Sequence, residues 1–259
     1  MKFNEELLKG YLDNKLIIYD ETASTNQIAK ELCKSGEEEG TVIIANSQTS
    51  GKGRMGRSFI SSSENGLYFT LILRPKIDAE DCTLITVLAA TAVARAIEEI
   101  SNKNAQIKWV NDIIVGDKKV CGILTEAGFG KGQTLDYAVL GIGINIAPPK
   151  GGFDDEIKDV AGAIFERCEK CLKEKLLASI IKHFFNDYYQ LEKKEYIKYY
   201  VEKSSIVGKE VDVYVGDRVV CGVATDIDEN ASLIVKTNEG KICAFSSGEA
   251  RVRESGKTL

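Results

Sequence analysis

Residues 79 to 100 read AEDCTLITVLAATAVARAIEEI, a run of mostly aliphatic side chains on a helical repeat. Such a segment predicts a long helix that is covered on nearly every side, so the rest of the chain must supply a layer to bury it. The longest apolar stretch, Leu84 to Ile97, is interrupted by Thr86, Thr91 and Arg95, which argues against a membrane span. Short β-branched or alternating runs flank it. Leu16 to Tyr19, Thr41 to Ala45 and Leu67 to Leu73 are expected strands before it. Gln106 to Trp109, Ile113 to Val115, Lys119 to Ala127 and Leu135 to Ile144 are expected strands after it, with a turn at Gly116 and Asp117. A buried helix followed by several hairpins predicts an α+β fold on a mixed sheet. Between the first two strands, ASTNQIAKELCKSG carries a capping box, with Ser24 as N-cap and Gln27 three residues on, so a helix ending near Gly36 is expected.

Pro148 to Gly152 (PPKGG) breaks the chain, and Glu166 to Lys203 is a charged, tyrosine-bearing helical stretch. Beyond Lys203 the character changes to short alternating strands joined by turns, which predicts a small β-barrel of about 50 residues. The expected division is therefore residues 1–203 and 204–259. Within 208–254 there are nine acidic against six basic residues and no basic stripe with interleaved aromatics, which disfavours nucleic acid as a partner of the barrel.

At 259 residues and 44% apolar content the chain can bury a sizeable core. Its first residues, MKFNEELLKGYLDNK, are charged throughout, unlike a signal peptide. Seven cysteines without framework spacing suit a reducing compartment, so a cytoplasmic protein is expected. The pair Cys168 and Cys171 reads as two cysteines of a charged helix rather than a metal site.

Against a net charge of −5, Gly51 to Arg57 (GKGRMGR) holds three glycines, Lys52, Arg54 and Arg57, and no acid. Glycine lets backbone N–H groups crowd an anion and the cations neutralise it, so the segment reads as a flexible phosphate-binding loop. It matches G-x-G-x-x-G, but the serine-rich sequence that follows has no helical period, so a dinucleotide fold is not expected. Four further segments carry polar chemistry at element ends. They are Ser24-Thr25-Asn26 at a helix start, Lys108 to Asp112 (KWVND), Lys119 to Gly122 (KVCG) and Gly141 to Asn145 (GIGIN). Glycine inside a strand signals that something approaches the backbone closely.

In this order and spacing the segments closely resemble the biotin protein ligases, whose STN, GRGRxGR, KWPND, K-x-x-G and G-x-G-x-N motifs they follow. The terminal Gly248, Glu249 and Arg253 resemble the family's GE-x-x-x-R. The resemblance implies a class II synthetase-like catalytic domain followed by an SH3-like barrel. It implies that biotin's carboxylate attacks the α-phosphate of MgATP to give biotinyl-AMP, which then acylates a lysine of a biotin carboxyl carrier domain. Arg54 and Lys119 resemble the cations that bridge carboxylate and phosphate, with Lys52 and Arg57 alongside. Ser24, Thr25, Asn26, Gln48, Gly51, Lys52, Gly53 and Gly122 resemble the biotin side. Arg57, Phe59, Asn111, Asn145, Glu249 and Arg253 resemble the adenylate side, and Asp112 is the candidate for orienting Mg²⁺ or the incoming lysine. Three positions depart from the pattern. Lys52 stands for the usual Arg, a point charge instead of a fork. Phe59 stands for Trp and loses an indole donor. Val110 stands for Pro and loosens the turn before Asn111. A biotin-responsive repressor would need an N-terminal helix-turn-helix, for which about 15 residues before the first strand leave little room, so neither DNA nor a membrane is an expected partner. A lipoate ligase or octanoyl transferase would share the general fold, and a silent biotin-binding module would lack the need for Arg54 and Lys119. A homodimer is compatible with the sequence.

Overall fold

The computed structural model describes residues 3–61, 65–78, 81–129 and 135–253. A seven-stranded sheet runs in the order β1, β2, β3, β7, β6, β5, β4. Its strands are β1 (Leu16–Thr22), β2 (Val42–Gln48), β3 (Gly66–Leu73), β4 (Ala105–Lys108), β5 (Asp112–Val115), β6 (Lys118–Phe129) and β7 (Leu135–Asn145). Strands β1 and β2 are parallel, joined through helix α2 (Thr25–Lys34), and every other neighbouring pair is antiparallel. This is the mixed sheet expected of an α+β chain.

The period of two along each strand sorts the side chains into two layers. Val42 and Ile44, Leu67 to Leu73 at odd positions, and Ala138, Leu140, Ile142 and Ile144 point into one large core. There they meet α3 (Cys82–Ser101), α4 (Leu172–Tyr188) and α5 (Glu195–Glu202). Helix α3 is buried along most of its length, as its aliphatic run requires; Ala79 and Glu80, where the helical pattern begins, lie outside the described residues. The opposite face carries Ile43, Ile72, Tyr137 and Val139 against α2. Short helix α1 (Glu5–Tyr11), which the charged N-terminal sequence did not announce, is capped by the Asn4 side chain and tied to α4 by Asn4 N–H donating to Glu174 at 2.7 Å.

Three local expectations are corrected. Ser24 is the N-cap residue of α2, but its side chain makes no capping bond, and Gln27 reaches only toward Glu31. The cap comes from another strand, because Gln48 Oε1 accepts from Thr25 N–H at 2.8 Å. Cys168 and Cys171 precede α4 rather than lying within it, Cys171 being the left-handed N-cap. The charged stretch up to Lys203 is two helices, separated by a single 3₁₀ turn at Leu191–Lys193 and a left-handed Lys194.

A second, antiparallel sheet follows in the order β11, β10, β9, β8, β12. Its strands are β8 (Glu210–Val215), β9 (Arg218–Ile227), β10 (Leu233–Thr237), β11 (Ile242–Phe245) and β12 (Glu249–Val252), the SH3-like unit. It joins the first sheet without a gap in the core, since Val211, Val213, Ala224, Leu233 and Val235 belong to the same apolar cluster as α3. Two further ties cross the junction. The edge strand β4 exchanges backbone bonds with the approach to β8, Ile107 N–H to Lys203 and Ser205 N–H to Ile107, both 2.8 Å. The buried Trp109 indole donates to Ala231 O at 2.9 Å.

Candidate functional site

Beyond the N-terminus of α2 the second face of the main sheet is bare, because three strand positions that point toward it are glycine. A Cβ at Gly141 would lie 2.1 Å from Asn26 Oδ1, one at Gly143 2.6 Å from the Phe59 ring, and one at Gly122 3.1 Å from the same ring. The close approach that intrastrand glycine predicts is real, and the approaching groups are the protein's own side chains. The cleft so formed is lined by Ser24, Thr25, Asn26, Gln48, Lys52, Gly53, Arg54, Phe59, Asn111, Lys119 and Gly122, with Gly141 and Gly143 in its floor. The sheet thus brings together residues spread over about 120 positions of sequence.

One end of the cleft is a connected set of hydrogen bonds. Ser61 Oγ accepts from Gln48 Nε2 at 2.9 Å, and Gln48 Oε1 accepts from the Thr25 backbone at 2.8 Å and its hydroxyl at 3.1 Å. Thr70 Oγ1 sits 2.8 Å from Thr25 Oγ1 and donates to Asn26 Oδ1 at 2.7 Å. Asn26 Nδ2 donates to Glu126 Oε2 at 2.9 Å and toward Leu124 O at 3.3 Å. Lys30 closes the chain with a 2.8 Å ion pair to Glu126. Burial works against charge on Glu126, yet the bonds from Lys30 and Asn26 outweigh it and hold the carboxyl below its usual range. Buried polar groups of this kind persist only when satisfied, and here each has a partner.

The other end is cationic. Residues 51–59 fold as a tight hairpin rather than an irregular loop. Gly53 N–H donates to Arg57 O at 2.7 Å, Phe59 N–H to Gly51 O at 2.9 Å, and Lys52 faces Ser58 in an isolated bridge. A single 3₁₀ turn, Arg54–Gly56, forms the tip, with Met55 and Gly56 in the left-handed region. No α-helix opens at the third glycine, as expected for a chance match to the dinucleotide fingerprint. Gly51 is not among the residues that line this cleft; it has no room for a Cβ beside Phe59 O and so lets the hairpin close.

Arg54 folds inward and donates to Asn111 Oδ1 at 3.1 Å, while Asn111 Nδ2 donates to Ile123 O at 2.9 Å. Burial disfavours the Arg54 charge and pulls its pKa down, against the pull of nearby Asp112. Lys119 Nζ stands 2.7 Å from Asp112 Oδ1, an ion pair that is close in distance but poorly directed as a hydrogen bond. Lys119 is itself pinned at the backbone, donating to Val160 O and accepting from Gly162 N–H, both at 2.8 Å. The turn that carries Asn111 and Asp112 is held by Trp109 through Ala231, and by the buried Tyr200 hydroxyl donating to Val110 O at 3.0 Å. The Trp109–Val110 peptide is cis.

Lys119 and Phe59 also belong to a second, larger groove of about 1500 Å³, which Arg57, Asp112, Asn145 and Glu249 line. Asn145 Nδ2 donates to Gly162 O at 3.0 Å, bracing the segment that pins Lys119. Arg57 pairs with Glu249 of the SH3-like unit. The hydrogen bond that Arg57 donates to Glu249 raises the Arg57 pKa; at Glu249 burial opposes ionisation, but Arg57 and Arg251 hold the carboxyl below its usual range. Arg253, the remaining expected site residue, lines neither space and is paired with Asp212 at 2.6 Å. Thr70, Ser61, Glu126 and Lys30 join the site without having stood out in the sequence. The one signal for them is Glu126, the only acid in β6.

Comparison with known proteins bears on the family and the fold. A profile of the Biotin/lipoate A/B protein ligase family matches residues 19–145, which span the cleft from β1 to Asn145. A second profile, the Biotin protein ligase C terminal domain, matches residues 206–253. The fold is thus that of an acyl-group protein ligase. The chain is 35% identical over 229 residues to the Bifunctional ligase/repressor BirA of Bacillus subtilis, covering 87% of this chain and 70% of the relative. It is 26% identical to the Biotin--[acetyl-CoA-carboxylase] ligase of Paracoccus denitrificans over 85% of this chain and 93% of the relative. A solved Aquifex aeolicus biotin protein ligase in complex with biotin and ATP superposes with a TM-score of 0.77 at 30% identity, covering 94% of this chain and all of that one. The chain belongs to the biotin protein ligase family.

Proposed function

We propose that this chain activates biotin with ATP and transfers it to a lysine of a biotin carboxyl carrier domain. The observation that carries the reading is the shared position of Lys119. It lines both the polar, glycine-floored cleft and the larger groove, so a carboxylate in one and a phosphate in the other would meet beside it. In the first step a carboxylate oxygen would bond to the α-phosphorus as the bond to the β-phosphate's bridging oxygen breaks, releasing pyrophosphate. Two unit charges at 4 Å repel by about 4 kcal/mol at an effective dielectric near 20. Arg54 and Lys119 would offset that repulsion, with Lys52 and Arg57 supporting, and would stabilise the charge that builds in the transition state. In the second step the neutral carrier amine would attack the acyl carbon, AMP would leave, and an amide would form as the nitrogen loses a proton.

The donors suit the assignment. Ser24, Thr25, Asn26 and Gln48 present the polar atoms a cyclic urea needs, and Asn111 and Asn145 offer amides on the nucleotide side. The free interior of the first cleft is about 50 Å³, room for a few waters, so the ligand's rings would enter by displacement of the hairpin and Phe59. Mg²⁺ would be carried by the triphosphate, since among the described residues no three His, Cys, Asp or Glu side chains gather as a metal site. Asp112, an acid beside the reacting region, is committed to Lys119 and would orient that lysine.

We assign biotin over lipoate because the family shared by both is joined here to the biotin-ligase C-terminal unit. No helix of the described residues is long and apolar enough to cross a membrane. We place the activity in the cytoplasm on the chain's seven cysteines without framework spacing, which suit a reducing compartment. The Bacillus relative's name includes repressor, and we do not extend that role to these residues. Incubation with biotin, MgATP and a carrier domain should add one biotinyl group to the carrier by mass; no added mass, in a protein that binds biotin, refutes the reading.

A further inference from the structure

The Asn26 carboxamide can be oriented in only one way. Its oxygen and nitrogen are alike in size and shape, so the neighbouring donors and acceptors decide which end points where. On one side stand two groups that only accept, Glu126 Oε2 at 2.9 Å and Leu124 O at 3.3 Å. An amide oxygen turned that way would face a carboxylate and a carbonyl with no proton between them. On the other side Thr70 Oγ1 donates at 2.7 Å, and the amide oxygen lies over Gly141, where even a methyl group would collide with it. Asn26 Nδ2 therefore has both protons taken up by β6, while Oδ1 keeps one lone pair toward the glycine floor of the cleft. Asn26 is 4% exposed, and on the β6 side the two acceptors lie at hydrogen-bond distance, which leaves no room there for a water to serve a turned amide oxygen.

We infer that Glu126 is a positioning residue for substrate specificity: by accepting from Asn26 it forces the amide oxygen into the cleft as an acceptor for a ligand N–H. This inference rests on the biotin reading and deepens it. A cyclic urea has two N–H donors, whereas a sulfur ring or an alkyl chain has none. An acceptor held in place, with its own donors already used, discriminates between them because a ligand lacking N–H leaves that oxygen unpaired. Lys30 keeps the Glu126 carboxylate charged and fixed, at 2.8 Å on the other oxygen. Glu126 touches no reacting atom, and its influence runs through Asn26.

The test is binding of biotin and of its two ureido N-methyl analogues to the full chain by calorimetry, in wild type, Glu126→Met and Glu126→Gln. Wild type should bind one analogue at least tenfold more weakly than biotin. Glu126→Met, which keeps volume but removes the acceptor, should bind biotin about tenfold more weakly and lose most of the discrimination against that analogue, with kcat at saturating biotin changed by less than about threefold. Glu126→Gln can turn its own oxygen to Asn26 and should restore much of the discrimination. If Glu126→Met does not fold by circular dichroism, Lys30→Met/Glu126→Met removes the pair together and carries the same expectation. Equal discrimination in wild type and the acceptor-free variant overturns the inference. Wild type that fails to bind biotin at all instead removes the ligase reading beneath it.

Discussion

The two ends of the site are built in opposite ways. At the α2 end, Ser24, Thr25 and Asn26 are 2–4% exposed, and Thr25, Asn26, Gln48 and Thr70 bond to one another or to β6. At the hairpin end Met55 is 63% exposed, the Arg57 side chain 60%, and Lys52, at the cleft's edge, is exposed. The first end has its hydrogen bonds made before any ligand arrives, so it can select by which atoms remain unused. The second holds charge in reserve, restrained by the ion pairs of Lys119 with Asp112 and of Arg57 with Glu249. Selection asks for rigidity and phosphate chemistry for available charge, and one sheet supplies both because its strands end between them.

Substitutions can break this contrast from either side. The largest effect is expected at Lys119, where both spaces meet. Lys119→Ala should lower biotin-dependent pyrophosphate exchange by roughly 10² or more, with little change in Tm, because the lysine's backbone bonds survive. Near-normal exchange would detach Lys119 from the chemistry. Next is the rigid floor. Gly141→Ala would drive a methyl into Asn26 Oδ1, and overpacking of about 1–3 kcal/mol should weaken biotin binding roughly ten- to hundredfold. Gly143→Ala meets only the Phe59 ring on the hairpin, which can swing aside, and should cost less. The reverse order, measured by calorimetry, would mean that the floor is not the rigid part.

At the hairpin, Arg54→Gly should speed dissociation of biotinyl-AMP by about tenfold, the worth of one charge-assisted hydrogen bond, and raise indiscriminate lysine biotinylation. An unchanged off-rate would leave the hairpin without its clamp. The smallest effect is expected at the pair Arg57 and Glu249. The Glu249 carboxyl titrates below its usual 4.5, so its stabilisation is present above that pH and is lost as pH falls below it. Because Arg57 is largely exposed, the contribution should stay under about 1 kcal/mol. Accordingly Glu249→Gln should lower Tm slightly at neutral pH, and the difference should shrink on acidification below 4.5; a difference that grows would contradict the sign.

Much of the molecule is determined by local sequence. The aliphatic run of α3 demands burial, β-branched runs demand strands, and the unbroken basicity of Gly51 to Arg57 demands an anion, since these depend only on residue type and spacing. The order of the motifs sufficed to indicate the family and most of the cleft lining. What tertiary structure decided is which atoms are already spoken for. Ser24 sits at a helix start by sequence and by structure, but only the arrival of Gln48 from β2 relieves it of capping. The glycines of β7 announce a close approach without saying that Asn26 and Phe59 make it. Arg253 carries the right charge at the right spacing, yet Asp212, 41 positions earlier, holds it away from the cleft. Glu126 reads as a stray acid in β6 until α2 lays Asn26 and Lys30 against it. Helix and strand follow from periods of a few residues, whereas hydrogen-bond partnership across the sheet depends on strand order and register, which no local pattern encodes.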